Sequence, residues 1–296
     1  MKNRFRGTFT VMITPTTERG TVDLAALARF TEWQITEGIH GLIPLGSTGE
    51  FLSLSREERS AVAETVIRTA AGRVPVLIGT GAEDTREVVR LSREAEALGA
   101  DGVMIIPPFY ASPSADELYA HYRTVAAAIT LPIMIYNNPA TANVDLKPDL
   151  IARIAEIDNC CYVKESTLEV TRVRDIIRLC GERMTVFGGI LGFESFIEGA
   201  AGWVAVASNV APRPLARLFE LTADAGEIAA ARTLYLDWLP IIEAVGGPHY
   251  VGGTKSLLTH MGFPAGPPLP PRLPLPADEQ ARMGALVRRF GLRFAA

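Results

Sequence analysis

Lysine is scarce in this 296-residue chain: its 29 basic residues include only four lysines, Lys2, Lys147, Lys164 and Lys255. Cysteine is scarcer still, with Cys160, Cys161 and Cys180 alone. Three thiols, two of them adjacent, have neither the even count of a disulfide framework nor metal-ligand spacing, so a reducing, cytoplasmic setting is expected. The N-terminal apolar run is broken by Pro15, too early for a signal core or a membrane span. A net charge of -4 leaves no basic surplus to attract nucleic acid or an anionic membrane, so the expected partner is a small molecule. The histidines, His40, His121, His249 and His260, lack ligand spacing, and no metal is expected. Gly79-Thr80-Gly81 and Gly188-Gly189 lack the rest of a nucleotide fingerprint, so no cofactor is expected either.

What is present is a globular balance, 48% hydrophobic and 21% charged, arranged as repeated βα units. Short apolar, β-branched runs predict strands at Thr8–Pro15, Gly41–Ser47, Pro75–Thr80, Gly102–Pro107, Pro132–Asn137, Tyr162–Ser166, Thr185–Gly189 and Trp203–Ser208. Amphipathic stretches separate them. Asp23–Glu37 has helical spacing, Ser55 and Glu58 form a capping box, and Asp84 and Ser114 open two further helices. Eight such units predict an α/β fold, a (β/α)8 barrel. Helical patterns from about Pro214 to Ala244 and from Val251 to Met261 exceed one closing helix. Phe263–Pro276 is too rich in proline to be other than extended, and Asp278–Phe290 reads as a last helix. The expected division is a barrel over 1–225 and a C-terminal helical appendage over 226–296.

Lys164 lies inside the strand-like run Cys161-Tyr162-Val163-Lys164-Glu165-Ser166. A desolvated ammonium is costly, so such a lysine either finds an acid or becomes a neutral amine, nucleophilic toward carbonyl carbon. On position alone, a strand lysine paired with Glu165, or one reaching to solvent, fits equally well. Barrels of this kind carry their active sites where the strands end. There the chain offers Gly46-Ser47-Thr48-Gly49-Glu50, Phe109-Tyr110, Tyr136-Asn137-Asn138-Pro139, Lys164-Glu165-Ser166 and Gly188-Gly189. Ser47 and Thr48 between glycines suit a carboxylate cradle, or an ordinary turn. Tyr136 at the mouth could donate and accept a proton, or simply pack.

Taken in order, Gly46-Ser47-Thr48-Gly49-Glu50, Tyr136-Asn137-x-Pro139 and Val163-Lys164-Glu165 resemble the dihydrodipicolinate synthase and N-acetylneuraminate lyase family. The resemblance covers essentially the whole chain. It implies a Schiff base between Lys164 and the keto group of a 2-keto acid, with Tyr136 shuttling the proton. It further implies that Ser47 couples Tyr136 to Tyr110, and that Tyr110 reaches in from a neighbouring subunit of a homotetramer. Thr48 and Gly49 would hold the substrate carboxylate, Gly189 and Val204 would line the pocket, and Asn138 and Ser166 would complete the substrate site. Glu50 and Glu165 would be anchors, one capping backbone amides and the other in an ion pair.

Two departures bear on substrate. Synthases of the family place an arginine two residues after the motif proline, where this chain has Thr141; that argues against aspartate semialdehyde as acceptor. Sialic acid lyases place acids after the seventh-strand glycine, where this chain has Ile190-Leu191-Gly192. The main expectation is therefore a Schiff-base lyase on a short 2-keto acid, a 2-keto-3-deoxy sugar acid dehydratase or a pyruvate-releasing aldolase. Gly246-Gly247-Pro248-His249-Tyr250 is similar, though more loosely, to the 2-keto-3-deoxy-pentonate dehydratases. The alternative is a 4-hydroxy-tetrahydrodipicolinate synthase whose missing arginine is replaced, with Arg213 as candidate. A non-catalytic 2-keto acid sensor is the reading of a different class.

Overall fold

In the computed structural model, residues 4–295 are described. All eight predicted strands form: β1 (Gly7–Val11), β2 (Gly41–Ile43), β3 (Leu77–Gly79), β4 (Gly102–Ile105), β5 (Ile133–Asn137), β6 (Cys160–Glu165), β7 (Thr185–Gly188) and β8 (Gly202–Ala205). Every residue in them is buried, as expected of parallel strands covered on both faces. They are parallel in the order β2-β1-β8-β7-β6-β5-β4-β3, and a bridge between Leu42 and Val76 joins the two ends into a barrel. Most strands stop short of their predicted ends because the exits are turns. After β2, Leu45 already sits in the left-handed region at φ 60°, which ends any extended run.

The helices around the barrel are α1 (Leu24–Thr36), α2 (Arg56–Ala70), α3 (Thr85–Ala97), α4 (Ala115–Ala126), α5 (Pro139–Ala142), α6 (Pro148–Ile154), α7 (Thr171–Cys180), α8 (Phe193–Ile197) and α9 (Pro212–Phe219). Asp23 caps α1 and Asp84 caps α3, while Ser55 with Glu58 and Ser114 with Glu117 form full capping boxes on α2 and α4. These caps bond amide donors that the first helical turn leaves unpaired. The helix predicted from Pro214 to Ala244 is broken. A π-helical turn at Glu220–Asp224 and Gly226 at φ 67° separate α9 from α10 (Ile228–Ala244), since left-handed backbone cannot continue a right-handed helix.

The end of the barrel opposite the strand exits is plugged by aromatic rings. Phe9 meets Phe187 edge-on at 5.3 Å, and Phe5 lies 4.9 Å from Tyr162. Gly202 makes room for this plug, because a Cβ there would stand 2.1 Å from the Phe187 ring. With that end closed, a ligand reaches the interior only from the strand exits. After α10 come α11 (Tyr250–His260), an extended strap over 263–276 and α12 (Ala277–Phe290). The tail is fastened to α1 by aromatic packing: Phe263 against Phe30 at 5.2 Å and Phe294 against Trp33 at 5.0 Å. Among the described residues no helix is long and apolar enough to cross a membrane.

Candidate active site

The pairing of β5 with β6 sets Tyr136 directly beside Lys164. Residues in register on neighbouring strands share a face, and here that face is the barrel interior: Lys164 is 5% exposed and Tyr136 6%. The Lys164 Nζ lies 3.8 Å from the centre of the Tyr136 ring. The Tyr136 hydroxyl accepts from Asn138 Nδ2 at 2.9 Å and is also hydrogen-bonded to Lys164 and Ser47. Burial pushes its pKa up, but the Lys164 charge and the Asn138, Lys164 and Ser47 hydrogen bonds together bring it below the ordinary tyrosine value. A phenol so placed gives up its proton more readily than tyrosine in water.

Two residues from each member of this pair along the chain, Ser166 Oγ and Asn138 Oδ1 are buried without a hydrogen-bond partner among the described residues. A buried polar atom without a partner is destabilising unless a ligand completes it. Gly189 faces the same spot, where a Cβ would come within 1.8 Å of Ser166 Oγ, so only glycine leaves the serine its place. Val204 is buried on β8, in register with the plug residue Phe9 and two residues along the inward face from Gly202. Glu165 is an amide anchor, accepting from Asn137 Nδ2 at 2.9 Å and from the Thr167 amide at 2.8 Å. The strand end that presents Lys164 is thereby fixed.

Loop 46–50 lies between left-handed residues, Leu45 at φ 60° and Glu50 at φ 57°, a backbone costing of order 1 kcal/mol at each and found where structure holds it. The Gly49 amide closes a turn on the Gly46 carbonyl at 3.0 Å, and the Gly49 carbonyl accepts from Thr14 Oγ1 at 2.8 Å. Gly49 thus shapes the loop through its own backbone. Thr48 is buried at 2%, and the amides of Ser47 and Thr48 have no intramolecular partner among the described residues. Glu50 is the ion-paired anchor: Lys255 Nζ stands 2.8 Å away, and the Leu269 amide donates to it at 2.6 Å.

Tyr110 is not brought to Lys164 within one chain; it is 89% exposed. Its loop is nevertheless held firmly, since Glu83 accepts from the amides of Phe109, Tyr110 and Ala111 at 2.8, 3.0 and 3.0 Å. Burial raises the Glu83 pKa, but these amides and His121 bring it below the ordinary carboxylate value. His121, 4% exposed and bonded to Thr85 Oγ1 at 2.8 Å, is driven by burial from 6.5 down to about 4. A base whose folded pKa is lowered resists protonation, so the stability it contributes is complete above 6.5 and is lost as pH falls toward 4. We expect the chain to lose about 3 kcal/mol across that window from His121, and His121→Phe to flatten that limb. Urea unfolding at pH 7 and pH 4.5 checks this; equal slopes in both proteins would exclude His121 as the cause.

Arg213, the cation expected to replace the missing arginine, is misplaced for that role. It pairs with Glu37 at 3.1 Å, at the far end of α1, and its side chain is 69% exposed. Its place on the outer face of the barrel follows from α9 lying outside β8. Thr141 sits exposed in α5, its hydroxyl 3.4 Å from the Asn138 carbonyl. Sequence reasoning passed over Lys255, although it carries the signal that marked Lys164: a rare lysine set among small and apolar residues, Gly252-Gly253-Thr254 and Leu257-Leu258. Among the described residues no group of three or more His, Cys, Asp or Glu could hold a metal ion.

The resemblance extends to measured similarity. A family model described as the dihydrodipicolinate synthetase family matches residues 4–290. The 4-hydroxy-tetrahydrodipicolinate synthase of Pelobacter propionicus is 35% identical over 290 residues, 97% of this chain and 99% of that one. The chloride-inhibited dihydrodipicolinate synthase of Acinetobacter baumannii, solved with pyruvate, superposes with a TM-score of 0.94 at 31% identity, over 97% of this chain and 99% of its own. YagE, a prophage protein of E. coli K12 also solved with pyruvate, gives a TM-score of 0.91 at 32% identity, over 98% and 99%. Because the match runs through barrel and tail alike, this chain belongs to the dihydrodipicolinate synthetase family, a family of aldolase-type lyases and synthases.

Proposed function

We propose that this protein is a lyase that holds a short 2-keto acid as a Schiff base on Lys164. One observation carries the reading: a buried amine against the ring of a buried phenol whose pKa is lowered by that amine, Asn138 and Ser47. Tyr136, passing its own proton through Ser47 toward solvent, can take one from the Lys164 ammonium, freeing the amine to add to the C2 carbonyl. The carbonyl oxygen leaves as water, with one proton from the amine and one drawn from solvent through Tyr136. The iminium that remains draws electrons from C3, so a C3 proton can leave and an enamine forms. The enamine can add to an aldehyde carbon while the aldehyde oxygen takes a proton, or run the same step backward. Loss of a 4-hydroxyl with a proton instead gives dehydration.

The residues around the pair favour a hydroxylated 2-keto-3-deoxy acid. Thr48 and the unpaired Ser47 and Thr48 amides suit the C1 carboxylate, while Ser166 Oγ and Asn138 Oδ1 suit a hydroxyl further along. The second reading, 4-hydroxy-tetrahydrodipicolinate synthase, is supported by the activity for which the Pelobacter relative is named. It requires a carboxylate grip that Thr141 does not supply. In either case exposed Tyr110 would complete the relay from a neighbouring copy, in a homotetramer.

Intact-mass measurement after borohydride reduction tests the assignment. Pyruvate and 2-keto-3-deoxy pentonates should each add their reduced mass at Lys164; no adduct with any 2-keto acid would leave a non-catalytic sensor. Product analysis separates the two substrate readings. Tyr136→Phe should still be trapped but turn over roughly 10²- to 10⁴-fold more slowly, and near wild-type turnover would remove Tyr136 from the relay.

A further inference from the structure

The C-terminal strap passes over the strand exits and is tied down there. The Thr16 amide donates to the Ala265 carbonyl at 3.0 Å, Lys255 Nζ to the Pro267 carbonyl at 2.9 Å, the Leu269 amide to Glu50 at 2.6 Å, and Ser53 Oγ to the Pro270 carbonyl at 2.9 Å. Beyond these ties the strap is fixed again at Leu275, which is buried and whose carbonyl accepts from Gln280 Nε2 at 2.7 Å. Arg272 stands between the two fixed points. Its amide donates to the Leu269 carbonyl at 3.0 Å, so its backbone is set as well.

The side chain points to Tyr250 at the start of α11. Arg272 Nη2 makes a long contact of 3.5 Å with the Tyr250 hydroxyl, and the guanidinium carbon is 5.8 Å from the ring centre. Tyr250 opens the helix that carries Lys255, the partner of Glu50 at 2.8 Å. Arg272 and Tyr250 therefore stand together at the strand exits, beside the Leu269–Glu50–Lys255 ties. Among the described residues Arg272 has no carboxylate within ion-pair distance, whereas the neighbouring cation Lys255 is committed to Glu50 at 2.8 Å. Arg172 and Arg213 are committed too, to Asp145 at 2.6 Å and to Glu37 at 3.1 Å. A half-buried arginine whose side chain, among the described residues, hydrogen-bonds to the Tyr250 hydroxyl alone has its planar donor edge free for a carboxylate.

We propose that Arg272 is a specificity-determining residue of the site: with Tyr250 it grips a carboxylate on the part of the substrate that lies beyond the new or broken carbon–carbon bond. It does from the strap what an arginine at position 141 would do from the loop after β5. The ligand class is an aldehyde bearing its own carboxylate, or the 2-keto acid made from one. This rests on the Schiff-base reading for Lys164 and restores the acceptor that Thr141 argued against.

The test separates the two ends of the substrate. Deuterium exchange into the pyruvate methyl group reads imine and enamine formation alone and needs no acceptor. Arg272→Gln should exchange at the wild-type rate, yet raise KM for aspartate semialdehyde by roughly 10- to 100-fold, the range expected for a lost charged hydrogen bond. Arg272→Lys should recover part of that loss. An unchanged KM in Arg272→Gln would overturn the proposal, and so would a wild-type enzyme that condenses pyruvate with neither aspartate semialdehyde nor succinate semialdehyde. A wild type that exchanges no deuterium would remove the Schiff-base reading itself, and this inference with it.

Discussion

Lys164→Ala should take up no mass from pyruvate and borohydride, and turnover should fall by at least roughly 10⁴-fold. At about 1.36 kcal/mol per tenfold, that is more than ~5 kcal/mol of barrier. No nearby group can substitute. Asn138 and Ser47 cannot form an imine, and the other buried amine at the mouth, Lys255, is held by Glu50 at 2.8 Å. The variant should also fold well. Lys164 is buried without a carboxylate within ion-pair distance among the described residues, while Glu165 is turned to Asn137 and Thr167. Removing a desolvated group that no acid offsets leaves stability unchanged or raised, as often happens where a site sacrifices stability for function. An adduct that persists in Lys164→Ala, mapped to Lys255, would sink the assignment.

Lys255→Met should cost about 3–5 kcal/mol, the range for a buried ion pair that loses one partner. Lys255 is 2% exposed and Glu50 1%, so the remaining carboxylate would be left in an apolar interior with, among the described residues, the Leu269 amide as its hydrogen-bond donor. Adding Glu50→Gln to Lys255→Met should recover most of the loss, because no unpaired charge then stays buried. Denaturant unfolding of both single variants and the double gives the coupling directly. Strict additivity would show that the two side chains do not depend on each other.

The barrel was legible because its strands are short, doubly buried and punctuated. Gly41, Gly102 and Gly202 start strands, and apolar runs such as Ile133–Ile135 have no polar face. The Lys164 and Tyr136 pair was legible for a related reason: consecutive strands in one barrel present their ends at one mouth. Contacts that depend on how a distant segment docks were not legible. Nothing local says that Leu269 will donate to a residue 219 positions earlier, or that α9 turns Arg213 outward to Glu37. The break at Glu220–Asp224 was hidden because apolar spacing continues on both sides of it. Tyr110 is exposed in a single chain, so the relay role expected of it finds no expression in the packing of one chain.

The ties between strap and loop also set an order of events during synthesis. Glu50 leaves the ribosome some two hundred residues before Leu269 and Lys255, its hydrogen-bonding and ionic partners. Until the tail is made, that carboxylate must stay in water and loop 46–50 has no reason to hold its left-handed turns. Barrel strands can pair as they emerge, since domains begin to fold from the N-terminus during synthesis. The mouth cannot take its final shape until the last fifth of the chain has docked, and a nascent chain therefore sets loop 46–50 as one of its final acts of folding.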